Sequence, residues 1–115
     1  MKLFNLIMVL NPDETKVLMC LRSKDPYQGK YNLVGGKVED GEDYLASAYR
    51  ELFEETGISK TDLVLKMFMD FVWHPIDMQM MVYIGRLKEE VDLVEEAHKL
   101  VWISTDENFL DRKSV

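Results

Sequence analysis

With 115 residues the chain has room for one domain with one modest core. Its 47% hydrophobic and 30% charged residues are those of a globular protein and exclude an intrinsically disordered one. A net charge of −7 excludes a non-specific nucleic-acid binder, which needs a basic face. It also sets acid against acid for any phosphate-bearing ligand, unless a divalent cation held by the protein's own carboxylates stands between them.

The first strand is predicted over Leu3–Leu10. Its apolar run Leu6–Leu10 is too short to span a bilayer, follows only Lys2 and lacks a small-residue cleavage site, so neither a membrane anchor nor a signal peptide is expected. Asn11-Pro12-Asp13-Glu14 carries turn chemistry and leads into a second strand, Val17–Arg22, so the two strands are expected to form a hairpin. Cys20 is the single cysteine and has no internal disulfide partner; it sits in an apolar run as a buried thiol, which fits a reducing, cytoplasmic setting. Ser23–Lys30, with Pro26 and Gly29, reads as a loop, and Tyr31–Val34 as a short extended segment broken by Gly35-Gly36.

Asp40-Gly41 leads into the one strongly helical stretch, Glu42–Thr56. Leu45, Ala48, Tyr49, Leu52 and Thr56 recur there at three- and four-residue spacing and predict the core face. Gly57 is placed as a left-handed cap. Two further strands, Leu63–Val72 and Met78–Leu87, are joined around His74-Pro75-Ile76-Asp77. Phe71, Trp73, Met78, Met80, Met81 and Tyr83 lie in these runs and are expected to pack in the core. Leu100–Ile103 is a last short strand, and Thr105–Lys113 begins a second helix with Thr105 or Asp106 as its N-cap. One mixed α/β domain over residues 1–115, without repeat or linker, is the expectation.

The informative segment is Gly35–Ile58, GGKVEDGEDYLASAYRELFEETGI. At about 100° per residue, Glu51 and Glu55 stand above one another on the helix, with Glu54 on the adjoining flank. Like charges at that spacing cost a bare helix a few tenths of a kcal/mol per pair. Arg50 can partner Glu54 at four residues, but one cation does not balance three carboxylates; a hard cation such as Mg²⁺ would. A generic E-x-x-E-E run is usually an exposed acidic face. Here, however, Gly36, Glu42, Arg50-Glu51-Leu52, Glu54-Glu55 and Gly57-Ile58 match G-x5-E-x7-R-E-U-x-E-E-x-G-U position for position, where U is a bulky aliphatic residue. Chance produces such a match at roughly one in a billion starting positions.

That pattern is the Nudix signature, and the chain resembles Nudix hydrolases, in particular the MutT-like branch. The resemblance implies an α/β/α sandwich around a mixed β-sheet, with residues 36–58 as a loop–helix–loop. It implies Mg²⁺ (or Mn²⁺) held by Glu51, Glu54 and Glu55 with the Gly35 carbonyl. Glu51 or Glu55 would take the proton from the attacking water, and the family does not use one fixed base. Arg50 would complete the catalytic set by pairing with Glu42 or Glu51 and holding the loop to the helix. Gly36, Glu42 and Gly57 would be structural members of the signature.

Outside the signature, Arg22 and Lys37 are candidate phosphate contacts, each equally readable as a solvated surface residue. Asn32 stands where enzymes similar to the mammalian oxidised-purine triphosphatase place an asparagine against the purine edge; an amide offers a donor and an acceptor side by side. Of Glu95 and Glu96, which precede Trp102, Glu96 has the spacing of the further metal-binding glutamate that family members often supply. His74 and His98 lack the paired ligands of a zinc site and read as structural or exposed. The chain ends thirteen residues after Trp102, where MutT-like enzymes continue through a full second helix that carries base-reading side chains, so a shortened C-terminal helix is expected.

A Walker A loop is excluded, because Val38 follows Gly36-Lys37 and Tyr31 stands in place of the first glycine. Glu39–Asp43 lacks EF-hand spacing. The expected function is therefore Mg²⁺-dependent hydrolysis of the pyrophosphate bond of a nucleoside diphosphate linked to another moiety. The leading substrate is a nucleoside triphosphate of an oxidised purine such as 8-oxo-dGTP, with release of the monophosphate. The alternatives are a Nudix enzyme for ADP-ribose, a nucleotide sugar or a dinucleoside polyphosphate, and, from another class, a catalytically silent module that binds a nucleotide or a protein. The expected partner is a small-molecule nucleotide, with neither nucleic acid nor membrane.

Overall fold

The computed structural model describes residues 1–21, 31–95 and 98–105. Six strands and one α-helix are built from them: β1 (Lys2–Leu10), β2 (Lys16–Leu21), β3 (Tyr31–Lys37), α1 (Tyr44–Thr56), β4 (Lys66–Trp73), β5 (Met78–Arg86) and β6 (Lys99–Ser104). The strands form one mixed sheet in the order β4-β5-β1-β3-β2-β6. β1 lies near its middle, parallel to β5 from Lys2↔Met78 to Leu10↔Arg86 and antiparallel to β3 at Leu6↔Gly35 and Ile7↔Val34.

Alternation along the strands decides which face is filled. Ile7, Val9, Leu18, Val34, Met81 and Tyr83 are all buried, and they form one cluster with Ala48 and Leu52 of α1. Leu52 has no solvent exposure; burying a side chain of that kind contributes about 1.5–3 kcal/mol. Ile58, Leu63, Leu65 and Leu87 extend the cluster beyond the helix.

Several expectations change. The expected hairpin shrinks to the single pair Leu10↔Val17, because β3 inserts and takes the inner edges of both β1 and β2. Asn11 still closes that turn, its Oδ1 accepting from the N–H groups of Thr15 (2.9 Å) and Lys16 (2.8 Å). Gly35-Gly36 does not end the third strand; both glycines pair with β1 inside it. The helix starts at Tyr44, two residues later than expected, because Asp43 is its N-cap and accepts the Ala46 N–H. Gly57 ends it in the left-handed region at φ 80°, as expected. On the helix face, Leu45 is 41% exposed and Ser47 is fully buried.

Phe71 (43% exposed) and Trp73 (52%) are not core residues. β4 is an edge strand, and all eight of its residues are exposed. Met81 and Tyr83, on the next strand inward, are buried as expected, and Met78 and Met80 are partly so. Of the expected second helix only Thr105 is among the described residues, its N–H donating to the Thr15 carbonyl (2.9 Å). No described helix is long and apolar enough to cross a membrane.

Candidate active site

The signature loop is held at two successive backbone donors. The Gly35 N–H donates to Glu55 Oε2 (3.0 Å), and the Gly36 N–H donates to Asn5 Oδ1 (3.0 Å). Asn5 is 1% exposed and uses its amide nitrogen as well, donating from Nδ2 to Ser47 Oγ (3.1 Å). One buried amide therefore ties β1 to the glycine loop and to α1. Sequence reasoning missed Asn5, although a signal was there: it is the polar residue in an inward-facing series that continues with Ile7 and Val9.

Both glycines are sites of close approach. A Cβ on Gly35 would fall 2.2 Å from the Asn5 carbonyl oxygen, a backbone atom. A Cβ on Gly36 would fall 2.6 Å from the Glu51 carboxylate. The loop thus lies against a strand on one side and a helix carboxylate on the other.

Arg50 is the hub of the helix side. It grips Glu42 bidentately, Nε to Oε2 at 2.6 Å and a terminal nitrogen to Oε1 at 2.9 Å. It also reaches Glu51 (3.1 Å), Glu54 (3.1 Å) and the Lys37 carbonyl (3.4 Å). The alternative between Glu42 and Glu51 thus resolves into both. A planar, two-pronged contact of this kind is stronger than an isolated surface pair. It holds the Glu42 carboxyl down at about 2, while the surrounding carboxylates push the guanidinium pKa up.

Glu51 and Glu55 feel the opposite influence. Burial raises Glu51, against the pull of Arg50. Burial first, and then the charges of Glu51 and Glu54, push Glu55 up to about 7, despite the Gly35 N–H it accepts. Among the described residues no three of His, Cys, Asp and Glu close into a ready-made metal cage. Glu54 is engaged by Arg50 and Glu55 by Gly35. The groups are nonetheless hard oxygen donors carrying uncompensated charge, which suits Mg²⁺ or Mn²⁺. Glu51, Glu54 and Glu55 are the residues that could hold such an ion, with Glu54 swinging off Arg50.

These shifts give a testable sign. Glu55 has a higher pKa folded than unfolded, so the native state binds the extra proton between about pH 4.5 and pH 7. Its contribution to stability is full below pH 4.5 and is lost as pH rises through 7. Glu42 acts in another window, its contribution disappearing as pH falls from about 4.5 toward 2. In EDTA, the Tm of Glu55→Gln minus that of the parent is expected to grow from pH 4.5 to 7.5, and excess Mg²⁺ should shrink the gap. A gap independent of pH would refute the assignment.

A small cavity adjoins these groups, lined by Cys20, Asn32, Leu33, Gly35, Glu55 and His98. Cys20 and Asn32 are register partners, so their side chains leave the same face of the sheet, the face that α1 covers. Burial, followed by the charge of Glu55, pushes the Cys20 thiol up to about 11, so it stays protonated. The structure therefore brings Asn32 and Glu55 together. Lys37 is elsewhere, lining a separate recess of about 420 Å³ with Glu39, Glu42 and Tyr44. Arg22 and Glu96 lie outside the described residues. His74 is exposed, in a single 3-10 turn, His74–Ile76.

Residues 3–114 match the NUDIX domain. The chain belongs to the NUDIX family. Over 58 residues, half of this chain, it is 40% identical to the oxidized purine nucleoside triphosphate hydrolase of Mus musculus and 45% identical to the RNA pyrophosphohydrolase of Pelagibacter ubique. Those stretches span only about a third of each relative, 36% and 35% of its length. The NUDIX fold is equally plain in the E. coli dihydroneopterin triphosphate pyrophosphohydrolase, at a TM-score of 0.72 and 24% identity over 89% of this chain and 80% of that one.

Proposed function

We propose that this NUDIX chain hydrolyses the pyrophosphate bond of a nucleoside diphosphate linked to another moiety, with Mg²⁺ as cofactor. The observation that carries the reading is the pair Glu51 and Glu55, partly buried on one helix face against Gly35 and Gly36 inside a complete signature. Mg²⁺ bound there would neutralise phosphate charge and lower the pKa of bound water. Glu51, Glu54 and Glu55 would hold the ion, with the Gly35 carbonyl and Glu96 as further oxygen ligands. Arg50 keeps the loop docked to the helix and orients Glu51. Water attacks phosphorus, the anhydride P–O bond breaks, and a carboxylate accepts the proton. Glu55 and Glu51, both on the helix face beside the glycine loop, are the candidates for that carboxylate. Asn32 would contact the base and Arg22 the phosphates, whereas Lys37, in its separate recess, has no part in this reading.

Within that class we favour a nucleoside triphosphate of an oxidised purine. The reading rests on Asn32, which lines the same cavity as Glu55, and on the likeness to the mouse oxidized purine nucleoside triphosphate hydrolase. The likeness to an RNA pyrophosphohydrolase supports a second reading, a triphosphate at an RNA end, against which the net charge of −7 weighs.

The experiment is a panel of dGTP, 8-oxo-dGTP, ADP-ribose and a 5′-triphosphate RNA, assayed with Mg²⁺ and with EDTA, using Glu54→Gln as control. Release of the monophosphate is expected with Mg²⁺, none in EDTA, and on the order of a hundredfold less from the variant. Turnover indifferent to both would sink the mechanism. Tight nucleotide binding without turnover would show a silent module.

A further inference from the structure

Asn5 is the polar member of an inward-facing series that continues with Ile7 and Val9, and it is 1% exposed. A leucine of nearly the same shape would bury there without needing partners, whereas an unsatisfied amide would cost about 1–3 kcal/mol. Both ends of the amide are engaged. The Gly36 N–H can only donate, so it must face the oxygen, and Nδ2 is left for Ser47 Oγ.

The bond to Gly36 does more than satisfy Asn5. The Gly36 N–H belongs to the same planar peptide unit as the Gly35 carbonyl, and in the trans form that nearly all peptides adopt the two point in opposite directions. Holding the N–H at 3.0 Å on Asn5 Oδ1 therefore turns the Gly35 carbonyl away from Asn5. The preceding peptide is pinned as well, because the Gly35 N–H is on Glu55 Oε2 (3.0 Å). Gly35 lies at φ 153° and has no side chain to restrain it, so these two bonds fix the planes on either side. Glu51 lies close against Gly36, its carboxylate 2.6 Å from where a Cβ would stand. The peptide that carries the carbonyl is thus flanked by the carboxylates of Glu55 and Glu51.

We infer that Asn5 is a positioning residue: through the Gly36 N–H it sets the direction of the Gly35 carbonyl as an oxygen ligand for the divalent cation. This rests on the metal reading above and adds to it a residue thirty-one positions before Gly36, outside the signature. A hydrogen bond at the N–H also polarises the peptide toward a more negative carbonyl oxygen, which a hard cation favours.

Mn²⁺ affinity, read by electron paramagnetic resonance without nucleotide, should fall about 10–100-fold in Asn5→Leu, the range for losing the outer partner of a metal ligand. Ser47→Ala cuts the tie to α1 and leaves the Gly36 bond, so it should lose stability in urea but keep nearly the parent's Mn²⁺ affinity. An Asn5→Leu affinity equal to the parent's, or an equal fall in Ser47→Ala, overturns the role. Should Asn5→Leu not fold, the parent alone decides. The chain has six glycines, so ¹³C-glycine labelling resolves the Gly35 carbonyl. Titration with Mg²⁺ should move that resonance while the Gly36 N–H stays protected from hydrogen exchange. A carbonyl that does not respond to Mg²⁺, or a Gly36 N–H that loses protection as Mg²⁺ binds, overturns the inference. A parent that turns over no nucleotide while Mg²⁺ moves the Gly35 carbonyl defeats the hydrolase reading and leaves this one standing. Mg²⁺-dependent turnover with the carbonyl unmoved defeats this one alone.

Discussion

Glu55→Gln is expected to lower kcat by about 10²–10⁴-fold, the range associated with loss of a positioned acid–base group, while the metal-free protein becomes more stable. The two effects share a cause. Glu55 is partly buried near two other carboxylates, and its carboxyl is pushed up to about 7. At pH 8 the parent therefore carries a charge that the fold disfavours, and the amide removes it. Gln keeps the acceptor oxygen for the Gly35 N–H, so the loop stays docked. The gain is on the order of 1–2 kcal/mol once solvent screening of a partly exposed group is allowed for. The checks are single-turnover kinetics with Mg²⁺ and urea unfolding in EDTA at pH 8. A variant that is both inactive and destabilised would mean that Glu55 acts as a loop anchor.

Gly35→Ala should be the most damaging small substitution in the chain. The new methyl would meet the Asn5 carbonyl at 2.2 Å and Leu6 Cα at 3.0 Å, both backbone atoms of the central strand. No side-chain rotation relieves that contact, so the β1–β3 pairing at Leu6↔Gly35 must open. Overpacking of a tight interior costs about 1–3 kcal/mol and more where backbone must move. The same shift carries Gly36 and the Glu55 anchor with it, and a displacement near 1 Å costs roughly 10²-fold in rate. Gly41→Ala is the control. It lies in the left-handed region at φ 79°, but nothing is within 4 Å of its Cβ position, so only about 1–2 kcal/mol of backbone strain is expected. Urea midpoints and kcat for the two variants check this. Equal effects would show that local backbone conformation, and not the contact with β1, decides the cost.

The parts of this molecule legible in its sequence are those with local causes. The helix, its left-handed cap at Gly57 and the burial of Ala48, Leu52 and Thr56 follow from spacing within one segment. The pairing of Arg50 with Glu42 also lies within the signature segment. What the sequence hid depends on strands far apart in the chain. Leu45 was expected inside and Ser47 was not, because the buried partner of Ser47 is Asn5, forty-two residues earlier. Trp73 and Phe71 carry core chemistry, yet β4 falls at the sheet edge, and only strand order could reveal that. The insertion of β3 between β1 and β2 is a decision of the same kind.

The position of β1 also has a consequence for how the protein is made. Its parallel partner is β5, so the residues joining them carry β2, β3, α1 and β4. Long-range parallel pairing requires loop closure before any contact rewards it, and is slow for that reason. At roughly 5–20 residues per second, a ribosome needs several seconds after releasing β1 to deliver Met78. Until then the strand bearing Asn5 has one open flank, and the signature helix lies over a sheet that lacks its β5 side. The core beneath that helix is complete only when Met81 and Tyr83, from the second half of the chain, join Ala48 and Leu52.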